Sequence, residues 1–175
     1  MKIIEISGKK RSGKDYIAQY MHKSLPNSYI IHFADKLKEM VAQSLGISVE
    51  ILDNLKNSNY TIQLGQSKTT MRYILQHFGT EVMQKEFGKY VWVDIVKKEI
   101  EKSNYDYVII PDFRFKHEYI KDSTTIKIIN TNQICDDLHR SEIDLDDFSF
   151  DYIIHNNMDN SFKDEVDLII NKLRC

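Results

Sequence analysis

Residues 2–15, KIIEISGKKRSGKD, decide the fold. KIIEIS at 2–7 is short, Ile-rich and mostly apolar, the character of a buried strand. G-K-K-R-S-G-K-D at 8–15 follows directly and fits G-x-x-x-x-G-K. DYIAQYMHKSL comes next, with Ile17, Met21 and Leu25 at helical spacing. Strand, glycine-bearing loop and helix in that order make a phosphate-binding loop. The glycines let the backbone turn tightly and bring N–H groups to phosphate oxygens, and the helix N-terminus adds partial positive charge. Gly8, Lys9, Lys10, Arg11, Ser12, Gly13, Lys14 and Asp15 are therefore expected to cradle a nucleotide, with Lys14 reaching the β- and γ-phosphates. Asp15 stands where Ser or Thr normally meets Mg²⁺, and a carboxylate is also a hard-oxygen ligand, so Asp15 is expected at the metal.

Working outward, strands and helices alternate. SYIIHF at 28–33, DYVIIPD at 106–112, TTIKIIN at 124–130 and DYIIHN at 151–156 read as strands. ADKLKEMVAQSLG at 34–46 is an amphipathic helix stopped by Gly46, and Ser48 is placed to cap a short helix after it. Residues 57–69 read as a mobile polar loop. Helical stretches start near Thr70, with a bend at Gly79, and cover VWVDIVKKEIEKS. A short helix is expected over roughly 114–122, and a closing amphipathic helix follows a cap at Ser161. The alternation predicts an α/β fold, a three-layer sandwich around a mostly parallel sheet. No repeat, low-complexity tract or interdomain linker interrupts it.

Composition narrows the function. The 175 residues suit one domain with a small lid, and 24 basic against 26 acidic residues leave no broad basic surface for a nucleic-acid polymer. No apolar run approaches the roughly 20 residues needed to span a bilayer, and MKIIEISG is too short and too acidic for a signal peptide. Cys135 and Cys175 are too few for a disulfide framework and lack metal-ligand spacing, which predicts a reducing, cytoplasmic setting. Nineteen of the basic residues are Lys and five are Arg, at 11, 72, 114, 140 and 174, so an Arg is a candidate for a position where Lys would not suffice.

Asp112 ends the clearest central strand, where open α/β sheets bind their ligands, and Arg114 and Glu118 follow it. They are expected to position metal and phosphate; the competing explanation is a strand-end turn with a surface ion pair. Arg72 opens a helix whose dipole repels it, which points to recruitment by an anion, with a solvated surface Arg as the alternative, and Gln76 lies one turn on along the same face. Arg140 sits in a polar segment suited to a lid, and a solvated charge is its bland alternative. Trp92 is either core or a stacking wall for a base. Arg174, at the tail, takes the bland reading.

The blocks GKKRSGKD, HFADKLKEMVAQSLG, MRYILQHFGTEVMQKEFGKYVWVDIV, VIIPDFRFKHE, HRSE and DYIIHN together resemble the phage-type deoxynucleoside monophosphate kinases over about residues 2–173. The resemblance implies transfer of the γ-phosphoryl of ATP, with Mg²⁺, to a deoxynucleoside 5′-monophosphate. It implies a P-loop kinase fold with a five-stranded sheet, one domain over 1–175, a substrate-binding helical region at about 34–104 and a lid at 131–149. By matching blocks, Lys14, Arg11, Asp112, Arg114, Glu118 and Arg140 are catalytic, and Asp15 and Asp112 meet the metal. Asp35, Lys38, Arg72, Gln76, Trp92 and Arg114 take the acceptor, and Asn156 lies near the ATP base. Pro111 before Asp112 departs from the family pattern and shifts the expected strand end.

Two other readings compete. Animal-type phosphomevalonate kinase shares a similar S-G-K-x-x-S-G-K-D loop, although its acceptor is not a nucleotide and the LQxFGTE and Trp92 region argues against it; dephospho-coenzyme A kinase is more distant. A nucleotide-binding module without turnover is the alternative from another class, and the second set of anion-binding residues argues against it. A homodimer is a reasonable expectation for either enzyme.

Overall fold

β1 (Lys2–Gly8) lies at the centre of a five-stranded parallel sheet in a computed structural model that describes residues 1–58, 60–131, 143–157 and 159–175. α1 (Lys14–Ser24) follows the phosphate loop, and β2 (Ser28–Ile30) is shorter than the expected strand. Then come α2 (Asp35–Leu45), α3 (Val49–Lys56), β3 (Thr61–Leu64), β4 (Ser67–Thr70) and α4 (Met71–Gln76). α4 runs into a π-helical segment, His77–Gln84, and a last turn, α5 (Lys85–Phe87), before α6 (Val91–Glu101). β5 (Tyr107–Ile110), β6 (Thr124–Asn130), β7 (Tyr152–Asn156) and α7 (Phe162–Arg174) complete the order.

The strand order is β2-β5-β1-β6-β7, with every neighbouring pair parallel. The α/β expectation holds, and the β1–β2 and β2–β5 connections carry α-helices. Ile4, Ile6, Ile109, Ile126, Ile128 and Ile154 form one apolar sheet face. α1 covers it with Ile17, Ala18 and Met21, and α7 with Phe162, Val166, Ile169 and Ile170. Fully burying each of these Ile, Val, Met and Phe side chains contributes about 1.5–3 kcal/mol.

The chain divides into two compact units, Met1–His32 with Lys98–Cys175, and Phe33–Lys97. In the second, Val41, Ala42, Leu52, Met71 and Leu75 pack α2, α3 and α4 together. Gly46 terminates α2 in the left-handed conformation (φ 66°), and Ser48 caps α3 by accepting from the Ile51 N–H (3.2 Å).

Several local expectations are corrected. Residues 57–69 are not all loop: β3 and β4 pair antiparallel across a two-residue turn with Gly65 at φ 55°. Gly79, the expected bend, sits within the π-helical segment. The helix at 114–122 shrinks to one 3₁₀ turn, Lys116–Glu118. Ser161 makes no side-chain cap on α7; its N–H donates to Asp159 Oδ1 (2.8 Å). Cys135 and Arg140 lie outside the described residues, as does most of the 131–149 segment. Among the described residues no helix is long and apolar enough to cross a membrane.

Candidate active site

The loop between β1 and α1 places its left-handed residues at alternate positions, Arg11 at φ 62° and Gly13 at φ 91°. Alternation of this kind curves the backbone into a concave nest of N–H groups. Arg11 adopts the strained region as a non-glycine residue, a cost that a functional loop tolerates. Two glycines are sterically required. A Cβ on Gly8 would meet Ser12 Oγ and the Ile128 carbonyl oxygen (2.8 Å), and a Cβ on Gly13 would collide with the Asn156 amide nitrogen. Ser12 donates its N–H to the Lys9 carbonyl (3.0 Å), closing the turn. The Ser12 hydroxyl is buried and has no hydrogen-bond partner among the described residues.

Lys14 is the first residue of α1 and only 7% exposed, so its charge is directed by the surrounding protein. Asp15 is exposed in the same first turn, and Lys10 and Arg11 are exposed at the loop's crest. Among the described residues no cluster of three or more His, Cys, Asp or Glu is arranged to hold a metal by itself. This donor set still fits Mg²⁺, which takes one or two carboxylates and otherwise uses phosphate and water. The two glycine cradles and the buried Ser12 hydroxyl likewise fit a phosphate chain.

β5 pairs with β1 only as far as Glu5↔Ile110, whereas β1 runs on to Gly8. Pro111, which has no N–H, ends the ladder, and Asp112 stands two residues past it at the carboxyl edge, half-buried. The loop that follows is fixed in three ways. Phe113 packs edge-on against Phe148 and Phe150 (centroids 5.3 and 6.1 Å). Glu5, fully buried in β1, accepts from the Ile120 N–H (3.1 Å) and the Ser123 hydroxyl. Glu118 accepts from the backbone N–H groups of Arg114 (2.7 Å) and Phe115 (2.9 Å).

Glu118 is therefore a brace for the Arg114 turn, and it is buried rather than open to a crevice. Burial pushes its carboxyl up to about 8; the Asp112 charge adds to the rise, while the two backbone N–H bonds and the Arg114 guanidinium oppose it. Arg114 lines a small pocket of about 30 Å³ together with Gly8, Lys9 and Lys127, so it shares a wall with the phosphate loop. A larger cavity of about 320 Å³ adjoins, bounded by Lys9, Lys10, Ser12, Asn130 and Asp146. Lys127 lies 4.0 Å from the Asp146 carboxylate. Lys116 ties the 143–150 segment to this loop, donating its N–H to Asp144 (2.9 Å) and pairing with Asp147 (2.6 Å). That ion pair holds the Asp147 carboxyl below its usual range.

Asn156, expected beside a base, is buried and donates its amide N–H to the Ser12 carbonyl (2.9 Å). Asn130, which the sequence reading missed, donates to the Arg11 carbonyl (3.2 Å). The missed signal was its position as the last residue of a strand paired beside β1.

The remaining expected residues belong to the Phe33–Lys97 unit. Arg72 and Gln76 are both exposed on α4, one turn apart, and Arg72 reaches the Lys56 carbonyl at 3.4 Å. Asp35 opens α2, and Lys38 pairs with Asp53 of α3 (3.0 Å). Trp92 is 7% exposed and donates its indole N–H to the Gly79 carbonyl (3.2 Å), which makes it a core residue braced on the π-helical segment.

A family model for phosphomevalonate kinase matches residues 6–125, from β1 into the start of β6. The chain belongs to the phosphomevalonate kinase family. Two relatives are similar to it along much of its length. Phosphomevalonate kinase of Drosophila melanogaster is 25% identical over 119 residues, covering 67% of this chain and 58% of that protein. Deoxynucleotide monophosphate kinase of Enterobacteria phage T4 is 25% identical over 163 residues, covering 89% of this chain and 63% of that protein. The chain thus spans about six-tenths of the length of each relative. Dephospho-CoA kinase from Campylobacter jejuni superposes with a TM-score of 0.53 at 18% identity, covering 99% of this chain and 98% of that one, which establishes the shared fold. This member of the phosphomevalonate kinase family therefore has the P-loop kinase fold.

Proposed function

We propose that the protein transfers the γ-phosphoryl group of ATP to a phosphate monoester, and that its acceptor is a deoxynucleoside 5′-monophosphate. The observation that carries the reaction class is the pocket shared by Arg114, Gly8, Lys9 and Lys127. It puts a forked cation beside the phosphate loop, where a transferred phosphoryl group needs charge neutralisation. The phage relative's coverage of 89% of the chain favours the nucleotide acceptor. The phosphomevalonate kinase family model favours the second reading, in which the acceptor is phosphomevalonate. Both acceptors are phosphate monoesters, so the chemistry is the same and only the acceptor's organic part differs.

Mg²⁺ bound with ATP neutralises phosphate oxygens, and Asp15 and Asp112 are the carboxylates that would hold it. Lys14 draws the β- and γ-phosphates by charge, and the loop N–H groups hold the chain in one register. Arg114 offsets charge on the phosphoryl group as it moves, and Arg11 and Arg140 are assigned the same task. Arg72 is assigned to the acceptor phosphate, which its fork binds bidentately where Lys cannot, with Gln76 beside it. Asp35, Lys38 and Trp92 are retained as residues around the acceptor, Lys38 through its pairing with Asp53 and Trp92 from within the core.

Phosphorus NMR tests the reaction class. With ATP, Mg²⁺ and dNMP, the monoester singlet should give way to two coupled diphosphate signals. Arg72→Ala should raise the acceptor KM by about tenfold to a hundredfold while ATP affinity stays unchanged. Loss of ATP affinity in that variant would remove Arg72 from the acceptor.

A further inference from the structure

β6 and β7 overrun the central strand. β1 ends its pairing at Gly8↔Ile128, and β6 continues through Ile129 to Asn130, whose register partner is Asn156. Two asparagines thus end adjacent strands level with the phosphate loop. Each donates its amide to a consecutive carbonyl of that loop, Asn130 to Arg11 and Asn156 to Ser12.

The peptide plane converts this into a statement about the ligand. No peptide bond among the described residues is cis, so each carbonyl points opposite to the N–H of the next residue. Holding the Ser12 carbonyl therefore aims the Gly13 N–H away from Asn156. Holding the Arg11 carbonyl fixes the Ser12 N–H, which closes on the Lys9 carbonyl. A carbonyl rotated inward would instead present negative charge to a phosphate. Gly13 is part of the same device, because a Cβ there would strike the Asn156 amide.

Resting on the reading of this loop as the ATP site, we infer that Asn156 is a positioning residue that aims the Gly13 N–H at the donor's phosphate chain, with Asn130 fixing the preceding peptide. Asn156 acts through the loop backbone and needs no contact with the base. It departs from the resemblance in just that respect.

Calorimetric titration of the full chain with ATP and Mg²⁺, without any acceptor, tests this independently of the acceptor's identity. Asn156→Ala should bind ATP about tenfold more weakly, the loss of one oriented hydrogen bond. Asn156→Asp is isosteric but presents an ionised acceptor to the Ser12 carbonyl, so at pH 8 it should be weaker still. Protonation restores a donor, so its affinity, relative to the Ala variant at each pH, should recover as the pH falls toward 5.5. A residue that only supports folding would lower the melting temperature and leave the affinity of the folded protein, and its pH profile, unchanged; that result overturns the inference. If neither variant folds, Asn130→Ala decides at a partly exposed site, where several-fold weaker ATP binding is expected and unchanged binding contradicts the inference. Failure of the unaltered chain to bind ATP would overturn both the inference and the reading of the loop, whereas ATP binding without phosphoryl transfer would overturn only the proposed reaction.

Discussion

Lys14 and Glu118 are both ionisable residues withdrawn from solvent, and they are expected to answer to mutation in opposite ways. Under the proposed function Lys14 meets anionic ligand, so Lys14→Ala should lower kcat/KM by about a hundredfold or more while circular dichroism reports an unchanged fold. Near-wild-type ADP release from that variant would remove the loop from the reaction. Glu118 acts on the protein itself. Its folded-state carboxyl titrates near 8 against an ordinary 4.5, so the folded chain holds a proton that the unfolded chain has lost between those values. The stability this contributes is fully present below about 4.5 and is lost as the pH rises through 8, with a slope of at most about 1.4 kcal/mol per pH unit. Glu118→Gln keeps an acceptor for the Arg114 and Phe115 N–H groups and removes the titration, so urea melts from pH 5 to 9 should lose that slope. Identical slopes in both proteins would show that Glu118 titrates normally. The place of Lys14 at the start of α1 was legible from its motif alone. The role of Glu118 was not, because spacing cannot tell a carboxylate facing a crevice from one folded back on its own turn.

Secondary-structure elements were legible where one period ruled the sequence. TTIKIIN became β6 residue for residue, and the Ser48 cap and the Gly46 stop were both found. The hairpin at 61–70 was missed because its outer residues are polar and the alternation of Ile62 and Leu64 is short; the Gly65 turn was the available signal. The π-helical segment has no sequence code of comparable strength. One of its anchors is Trp92, whose N–H meets the Gly79 carbonyl. Trp92→Phe keeps most of the buried ring and loses that bond, so it should cost about 1 kcal/mol in chemical denaturation, whereas Trp92→Ala should cost about 3–5 kcal/mol. Equal, small losses in both would place Trp92 outside the core. Gly79→Ala would bring a Cβ to 3.0 Å from Leu37 Cδ2, a close fit that the Leu37 side chain must yield to.

For the whole molecule, the near-balance of 24 basic and 26 acidic residues conceals how charge is placed. Lys9, Arg114 and Lys127 converge on one small pocket at the carboxyl edge of the sheet, and Asn130 and Asn156 hold the loop that lines it. Strand order and the loop's strand–turn–helix setting explain why this edge was readable in advance: the residues that end β6 and β7 reach the phosphate loop from the carboxyl edge of the sheet. The acceptor was less readable, since the phosphate loop is common to kinases with different acceptors and the residues assigned to the acceptor, Arg114 apart, lie in the Phe33–Lys97 unit. The deciding measurement is ADP release, coupled to a dehydrogenase readout, over a panel of dNMPs, NMPs and phosphomevalonate at fixed ATP and Mg²⁺. The account predicts turnover with at least one dNMP at a kcat/KM at least about tenfold above that for phosphomevalonate; turnover with phosphomevalonate alone, or none with any acceptor despite tight ATP binding, would contradict it.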